Sequence, residues 1–426
     1  MDKNILIIKG VTVIDGSGKE PISNCTVKIC NDLICGISEG SNLLNEDESS
    51  KDTKVIDAYG KFLLPGLIDS HIHLHGYSLN DSTIVKLWHL TTAEPMKLLH
   101  AVNNARQLLE NGFTTVRVMG DGYIAGSMDV HLRNAINKGI IPGPRILCSG
   151  QELSMTAGHG DLQIPVWSLC DGGPAPADGV EECIKAVRAR VGEGVDFIKI
   201  HSSGGIMSED KLSWRNYRVE EIKAICDEAH AFEKRVAAHA EGTEGIKIAL
   251  KGGVDTIEHG IYLDDECIKM MLKRNVYLVP TLCVTEACLK QGEATGAPKS
   301  SIEKGRSAYK VHRESLQKAY KAGVKIALGS DAFNLTRVAN NAIEFSQMAL
   351  AGIPPLEVIK AGTHNAAEAL GIADKVGTIE EGKLADLILM RKNPLDDISV
   401  IEDHSQILLV VKNGKVVVNR LKNKEV

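Results

Sequence analysis

The run Phe62-Leu63-Leu64-Pro65-Gly66-Leu67-Ile68-Asp69-Ser70-His71-Ile72-His73 is apolar and ends on two histidines one residue apart. In an extended strand the period of two places both imidazoles on one face, about 7 Å apart along the chain. Two neutral imidazoles at that reach can grip one metal ion, although a His-x-His on a half-exposed strand needs none. Further polar residues close apolar runs downstream. Lys199 ends Val195-Asp196-Phe197-Ile198-Lys199-Ile200, His239 ends Val236-Ala237-Ala238-His239, His259 ends Asp255-Thr256-Ile257-Glu258-His259, and Asp331 ends Ile326-Ala327-Leu328-Gly329-Ser330-Asp331. Each is followed by a polar or glycine-containing stretch.

Lys199 constrains the chemistry most. A lysine that closes an apolar strand and points inward is costly unless its pKa falls far or a partner compensates. The alternative is a side chain that snorkels to water. The neutral amine reacts with carbon dioxide to give a carbamate, an anion whose two oxygens can bridge two cations. With that bridge the six residues sort into one binuclear site with N and O ligands, which suits zinc, or manganese, cobalt or iron. His71, His73 and Asp331 then hold the first metal, His239 and His259 the second, and carbamylated Lys199 both. Two such metals share a hydroxide, generate it at neutral pH and polarise a substrate carbonyl. Asp331 accepts the proton from that hydroxide as it attacks and passes it to the leaving amine.

These side chains require a scaffold that gathers several strand ends. From Leu64 the chain alternates strand and helix, with strands expected at 64–73, 113–119, 145–149, 195–200, 235–239, 255–259, 276–281 and 324–330. Helix-period segments lie between them, at 93–110, 179–191, 219–232, 243–251, 264–273 and 302–322. Gly112, Gly194, Gly253 and Gly323 fall just past helix ends, where a left-handed cap is expected. Eight strands alternating with helices is the count of an α/β fold of the (β/α)8 TIM barrel type, whose chemistry sits at the C-terminal strand ends. All six residues close strands on that one rim.

Short strands separated by Gly-, Asn- and Ser-rich turns precede the barrel, and 42–53 reads as an exposed acidic loop. After helical segments at 341–351 and 355–370, strands return at 386–390, 407–412 and 415–418, the last two joined by the hairpin turn Lys412-Asn413-Gly414-Lys415. The terminal strands are expected to share one sheet domain, so that residues 1–61 and 376–426 form a small β domain in two parts around a barrel at 62–375.

The chain has 426 residues, 43% of them apolar, enough for a large core. A net charge of -6, no basic block and only 4% aromatic residues argue against a nucleic-acid surface. No apolar run reaches the roughly 18 residues of a membrane span, and the start of the chain is too quickly polar for a secretory signal, so a cytoplasmic location is expected. The ten cysteines are scattered without a Cys-x-x-Cys pair and read as reduced thiols, neither zinc ligands nor disulfides.

The ordered set of Pro65-Gly66-Leu67-Ile68-Asp69-Ser70-His71-Ile72-His73, Lys199, His239, Thr256-Ile257-Glu258-His259-Gly260 and Gly329-Ser330-Asp331 resembles the amidohydrolase superfamily over essentially the whole chain. The closing run Gly377-Thr378-Ile379-Glu380-Glu381-Gly382-Lys383-Leu384-Ala385-Asp386-Leu387 is similar to the return into that family's β-sandwich. Asn111-Gly112-Phe113-Thr114-Thr115-Val116-Arg117, Gly143-Pro144-Arg145-Ile146, Thr156-Ala157-Gly158-His159-Gly160-Asp161 and Val279-Pro280-Thr281-Leu282 resemble the Xaa-Pro dipeptidase or prolidase-like branch. That branch includes metallocarboxypeptidases and ochratoxin-hydrolysing amidases.

The resemblance implies hydrolysis of the amide bond of a dipeptide or N-acyl amino acid, with a cyclic-amide hydrolase or an imidazolonepropionase-like deaminase as the alternative. It also implies that His159 polarises the scissile carbonyl, and, from the habit of relatives, a homo-oligomer. Tyr217 and Arg218, ahead of a helix, are candidates for a substrate carboxylate. The chain departs from the family pattern at Arg117-Val118 and at His201-Ser202, which could line the pocket. Glu241 is expected as an exposed helix-capping carboxylate, with selection of a basic substrate side chain as the other reading. His75 is expected to be a bystander.

Overall fold

The computed structural model describes residues 4–40, 53–75, 92–120, 127–161, 176–295, 297–333 and 338–421. Most of the acidic loop expected at 42–53 lies outside these residues. Strands β1 (Ile5–Val13), β2 (Ile22–Cys30), β3 (Leu33–Glu39), β4 (Thr53–Asp57) and β5 (Phe62–Pro65) come first. Then follow β6 (Leu67–Ile72), α1 (Glu94–Glu110), β7 (Phe113–Val118), α2 (Met128–Asn137), β8 (Arg145–Cys148), α3 (Val180–Glu193), β9 (Phe197–His201), α4 (Val219–Ala231), β10 (Arg235–Ala240), α5 (Thr243–Gly252), β11 (Thr256–His259), α6 (Asp265–Arg274) and β12 (Tyr277–Val279). Helices α7 (Leu282–Lys290), α8 (Lys299–Lys321), α9 (Ile343–Leu350), α10 (Pro355–Ala361) and α11 (His364–Leu370) lead to β13 (Leu387–Met390), β14 (Ile407–Lys412) and β15 (Lys415–Asn419).

The molecule is α/β, with two all-parallel sheets, β6-β7-β8 and β12-β11-β10-β9. Backbone bonds link them at both seams. Leu153 bridges Ile200 on one side; on the other, Ile326 bridges Leu278 and Ala332 bridges Ile72. The run expected as a strand at 324–330 is therefore an irregular segment held between β12 and β6, since Ser70 N–H bonds to Leu328 O at 2.8 Å and Asp331 N–H to His71 O at 2.7 Å. Gly112, Gly194, Gly253 and Gly323 all take positive φ at helix ends, as the alternation demands.

Strands from both ends of the chain share one eight-stranded sheet, ordered β15-β14-β13-β5-β1-β2-β3 with β4 on β1. It has its own apolar core, in which Val11, Ile29 and Leu63 meet Leu387, Leu389 and Leu409. The single strand expected at 64–73 is divided: Phe62–Pro65 pairs with β1 and β13, and the first strand of the parallel sheets starts at Leu67. Gly66 makes the crossing, because a Cβ there would lie 2.1 Å from Thr114 Oγ1. The helix expected over 355–370 is likewise broken at Gly362 and Thr363, and α2 and α7 were not anticipated.

One expectation about the cysteines fails. Cys30 and Cys35 are joined in a disulfide, their Cα atoms 5.8 Å apart. The β2–β3 hairpin turns at Asn31, which takes φ 60, and brings the two thiols face to face; spacing along the chain did not reveal that register. Cys25, Cys148, Cys183, Cys226, Cys267, Cys283 and Cys288 are free and buried. Among the described residues no helix is long and apolar enough to cross a membrane.

Candidate active site

The structure brings His71, His73, Lys199, His239, His259 and Asp331 together around one cavity of about 390 Å³, and His159 joins them from the loop after β8. His71, His73, His239, His259 and Asp331 sit at or just beyond the C-terminal end of a strand or of the irregular eighth segment, and Lys199 lies within β9, two residues before its end. The turns that place them are tight. His259, Thr281 and Asp331 have φ of 72, 52 and 51, a left-handed geometry that costs a non-glycine residue on the order of 1–3 kcal/mol. Gly329 must be small, as a Cβ there would meet His71 Cβ at 2.8 Å.

On one side of the cavity every imidazole is held from behind. His71 Nδ1 bonds to Glu258 Oε2 at 2.8 Å, His73 Nδ1 to Gly120 O at 3.1 Å, and His259 Nδ1 to Thr281 Oγ1 at 2.7 Å. Those bonds leave Nε2 of each ring for the cavity, the arrangement by which an outer partner fixes the tautomer of a metal ligand. Nε2 of His71 and of His73 lie 3.4 and 3.3 Å from Asp331 Oδ1. Burial alone would raise the Asp331 carboxyl, but His71, His73 and His259 hold it well below the usual range.

The support extends further out. Glu258 is fully buried and takes Arg117 Nη2 at 2.8 Å, while Arg117 Nε donates to Ser70 O at 2.6 Å. Arg117 therefore anchors the floor and does not line the pocket, contrary to one expectation. Asp69 accepts from His71 N at 3.0 Å, Ser330 N at 3.0 Å, Ser330 Oγ at 2.6 Å and Asn341 Nδ2 at 3.0 Å, tying β6 to the eighth segment. His312 Nε2 donates to His259 O at 3.0 Å and so steadies its strained backbone.

The opposite side is arranged differently. His159 and His239 stack with ring centroids 4.1 Å apart, and His201 lies 5.1 Å from each. His239 Nε2 and both nitrogens of His201 are buried without a hydrogen bond, apart from a 3.5 Å approach of Glu152 to His201. Burial, with Glu152 opposing, lowers His201 to about 4. Burial, reinforced by His159 and His259, takes His239 well below its ordinary value, so the ring is neutral and its lone pair available. Lys199 is buried, and its pKa is lowered by that burial against the pull of Glu258, Glu152 and Asp331.

The donors fit divalent metal. Ligand atoms of His71, His259 and Asp331 lie within 4.8 Å of one another, as do those of His239, Glu241 and His259, and those of His159, His201 and His239. Imidazoles held at Nδ1, one ionised carboxylate and orphaned buried nitrogens are a set that N/O-preferring metals satisfy.

Some residues fall elsewhere. Tyr217 is fully buried in the main core and Arg218 is the N-cap of α4, its N–H bonded to Glu221 Oε2 at 2.7 Å; neither lines the cavity. An aromatic and a cation just before a helix suit a core and a cap as well as a ligand, so sequence could not separate the roles. Glu241 is not exposed: it is buried, lines the cavity and accepts from Ile206 N at 3.1 Å. Burial pushes its carboxyl up to about 8, with the Ile206 N–H opposing. The outer carboxylates Glu258 and Asp69 stood inside the strand motifs, but only their cross-strand neighbours reveal what they hold. His75 lines the wall beside His73.

Residues 62–417 match the amidohydrolase family. Ochratoxinase from Aspergillus niger is 33% identical over 97% of this chain and 87% of its own length. A Xaa-Pro dipeptidase solved with methionine bound in its active site superimposes with a TM-score of 0.86 at 33% identity, covering 97% of this chain and 99% of that one. A prolidase complexed with N-methylphosphonate-L-proline gives 0.86 at 31% identity, covering 97% and 100%. With fold, strand-end chemistry and sequence in agreement over nearly its full length, the chain belongs to the amidohydrolase family.

Proposed function

We propose that the protein is a binuclear metal-dependent hydrolase that cleaves the amide bond of a dipeptide or N-acyl amino acid. The observation that carries this reading is the convergence of His71, His73, His239, His259 and Asp331 on one cavity with Lys199 buried beside them. The likeness to a Xaa-Pro dipeptidase, a prolidase and an ochratoxinase supports the bond type. His71, His73 and Asp331 would hold one metal, His239 and His259 the other, and Lys199, as its carbamate, both. Divalent metals of the zinc type held there would supply a hydroxide at neutral pH and polarise the substrate carbonyl.

The chain's own groups do the remaining work. Asp331, kept ionised by the surrounding imidazoles, takes a proton and returns it to the leaving nitrogen. His159, stacked on His239 and bonded through Nδ1 to Ser208 Oγ at 2.6 Å, presents its other nitrogen to the carbonyl oxygen. We read the two parallel sheets and the eighth segment as a single (β/α)8 barrel, and the eight-stranded terminal sheet, folded over its own core, as the companion β-sandwich. A homo-oligomer is part of the same proposal and is checked by light scattering. The cytoplasmic location meets one opposing observation, the Cys30–Cys35 bond, since such bonds are rare in reducing compartments.

Elemental analysis of the purified protein, together with hydrolysis of a mixed library of dipeptides and N-acyl amino acids, tests the reading. About two metals per chain and release of free amino acids are expected. One metal or none, with turnover of cyclic amides or amino-substituted heterocycles instead, would move the protein to the cyclic-amide hydrolase or deaminase class.

A further inference from the structure

A lysine that does not line the cavity closes the loop beside it. Between β9 and α4, residues 205–210 form neither helix nor strand, so their backbone carbonyls have no ladder partners. Lys304 Nζ, on α8, donates to three of them: Gly205 O at 3.0 Å, Ser208 O at 2.7 Å and Asp210 O. An ammonium carries three N–H donors around one point, and here each meets a carbonyl, as the oxygens around a bound monovalent cation would. Gly205 and Asp210 are buried, where a backbone carbonyl without a partner is costly.

The approach of α8 to this loop is fixed by packing. Gly305 lies so close to α7 that a Cβ there would meet Cys288 Cβ at 2.5 Å, and the same Cβ would stand 3.7 Å from Ile206 Cγ2. Ile206 packs with Val284, Ala287 and Cys288 of α7 and Ala308 of α8 in one apolar cluster. The loop is thus plugged by one side chain and clasped by one ammonium. What it carries is His159's partner. Ser208 Oγ donates to Asp210 Oδ1 and meets His159 Nδ1 at 2.6 Å. A Cβ on Gly205 would lie 2.3 Å from His159 Cε1, so loop backbone and serine hydroxyl together bound the ring.

We propose that Lys304 is a positioning residue: its tethered ammonium stands where a monovalent cation could, gathers the 205–210 loop around three carbonyls, and through Ser208 and Gly205 sets the His159 ring in the cavity. The inference rests on the amide-hydrolase reading for the task of His159 and adds what holds that ring. Lys304 touches neither substrate nor metal ligands in this arrangement; it acts through the loop.

Lys304→Ala vacates a space that a small amine can enter, so the clasp is tested by rescue. Hydrogen–deuterium exchange over 156–161 and 203–212 reads the two loops, and kcat and KM on the best-cleaved dipeptide of the library read the reaction. In Lys304→Ala, exchange in both segments should rise and kcat should fall about tenfold or more, because small misplacements of a reacting group are costly, while KM and metal content stay near wild type. Excess ethylammonium should restore protection and recover kcat severalfold. Tetramethylammonium, the same charge without an N–H, should do neither. Lys304→Met keeps the apolar stem without the donors and should lose as much, and it decides where the alanine variant does not fold. Wild-type exchange in the folded variants, equal restoration by the two amines, or raised exchange with kcat unchanged overturns the proposal. Loosened loops rescued by ethylammonium, in a protein whose wild type cleaves no dipeptide, would sink the hydrolase reading and leave the clasp standing. Dipeptide cleavage with wild-type exchange in the variants would do the reverse.

Discussion

The two halves of the cavity contrast in how their histidines are held. On the β6, β11 and eighth-segment side, His71, His73 and His259 each spend one nitrogen on a protein partner, and Glu258, Arg117 and Asp69 brace those partners in turn. On the other side, His239 and His201 keep buried nitrogens without hydrogen bonds, stacked around His159. The first half is braced by the protein itself, whereas the second leaves ring nitrogens open to a ligand or ion. Polar groups left unsatisfied in a buried site are the mark of a place where a ligand or ion supplies the missing partner.

Lys199→Ala should cause the largest loss, because its proposed carbamate would serve both halves. Metal content should fall below two per chain and amide hydrolysis to background, read by elemental analysis and product release. Full activity in this variant would remove the bridge from the mechanism.

Glu258→Gln separates the halves. Removing the partner of a buried Arg117 should cost about 3–5 kcal/mol in urea unfolding, and the loosened His71 about 10–100-fold in metal affinity by chelator competition. His239→Ala, on the unsupported side, should lose metal as well but change the stability of the metal-free protein by less than about 1 kcal/mol. Equal destabilisation by the two substitutions would erase the contrast.

The supported half should also make the metal-free fold acid-sensitive through His312. Burial lowers its native pKa from 6.5 to about 4. The unfolded chain therefore binds a proton that the native ring refuses, so its contribution is complete above pH 6.5 and is lost as pH falls toward 4. The loss should reach up to about 3 kcal/mol and shrink in His312→Gln, measured by urea midpoints from pH 7 to 4. The smallest effect is expected far from either half: reduction of Cys30–Cys35, which closes a short loop, should cost about 2 kcal/mol or less and leave kcat/KM unchanged.

His71, His73, Lys199, His239, His259 and Asp331 were legible as one group because a polar side chain at or near the close of an apolar run is a local pattern, and a parallel α/β rhythm sends such ends to one rim. The alternation also marked the positive-φ glycines after α1, α3, α5 and α8. What sequence could not supply was lateral. Which residues back the imidazoles, as Glu258 backs His71 across 187 positions, depends on strand neighbours that only folding brings together. The same holds for Glu241, taken for an exposed cap although the loop at Ile206 covers it, for Tyr217 and Arg218, placed in core and cap, and for the Cys30–Cys35 pair, set by hairpin register. Local chemistry marked the candidate ligands; burial and cross-strand pairing, which are properties of the packed chain alone, decided their partners, their surroundings and the shape of the space in front of them.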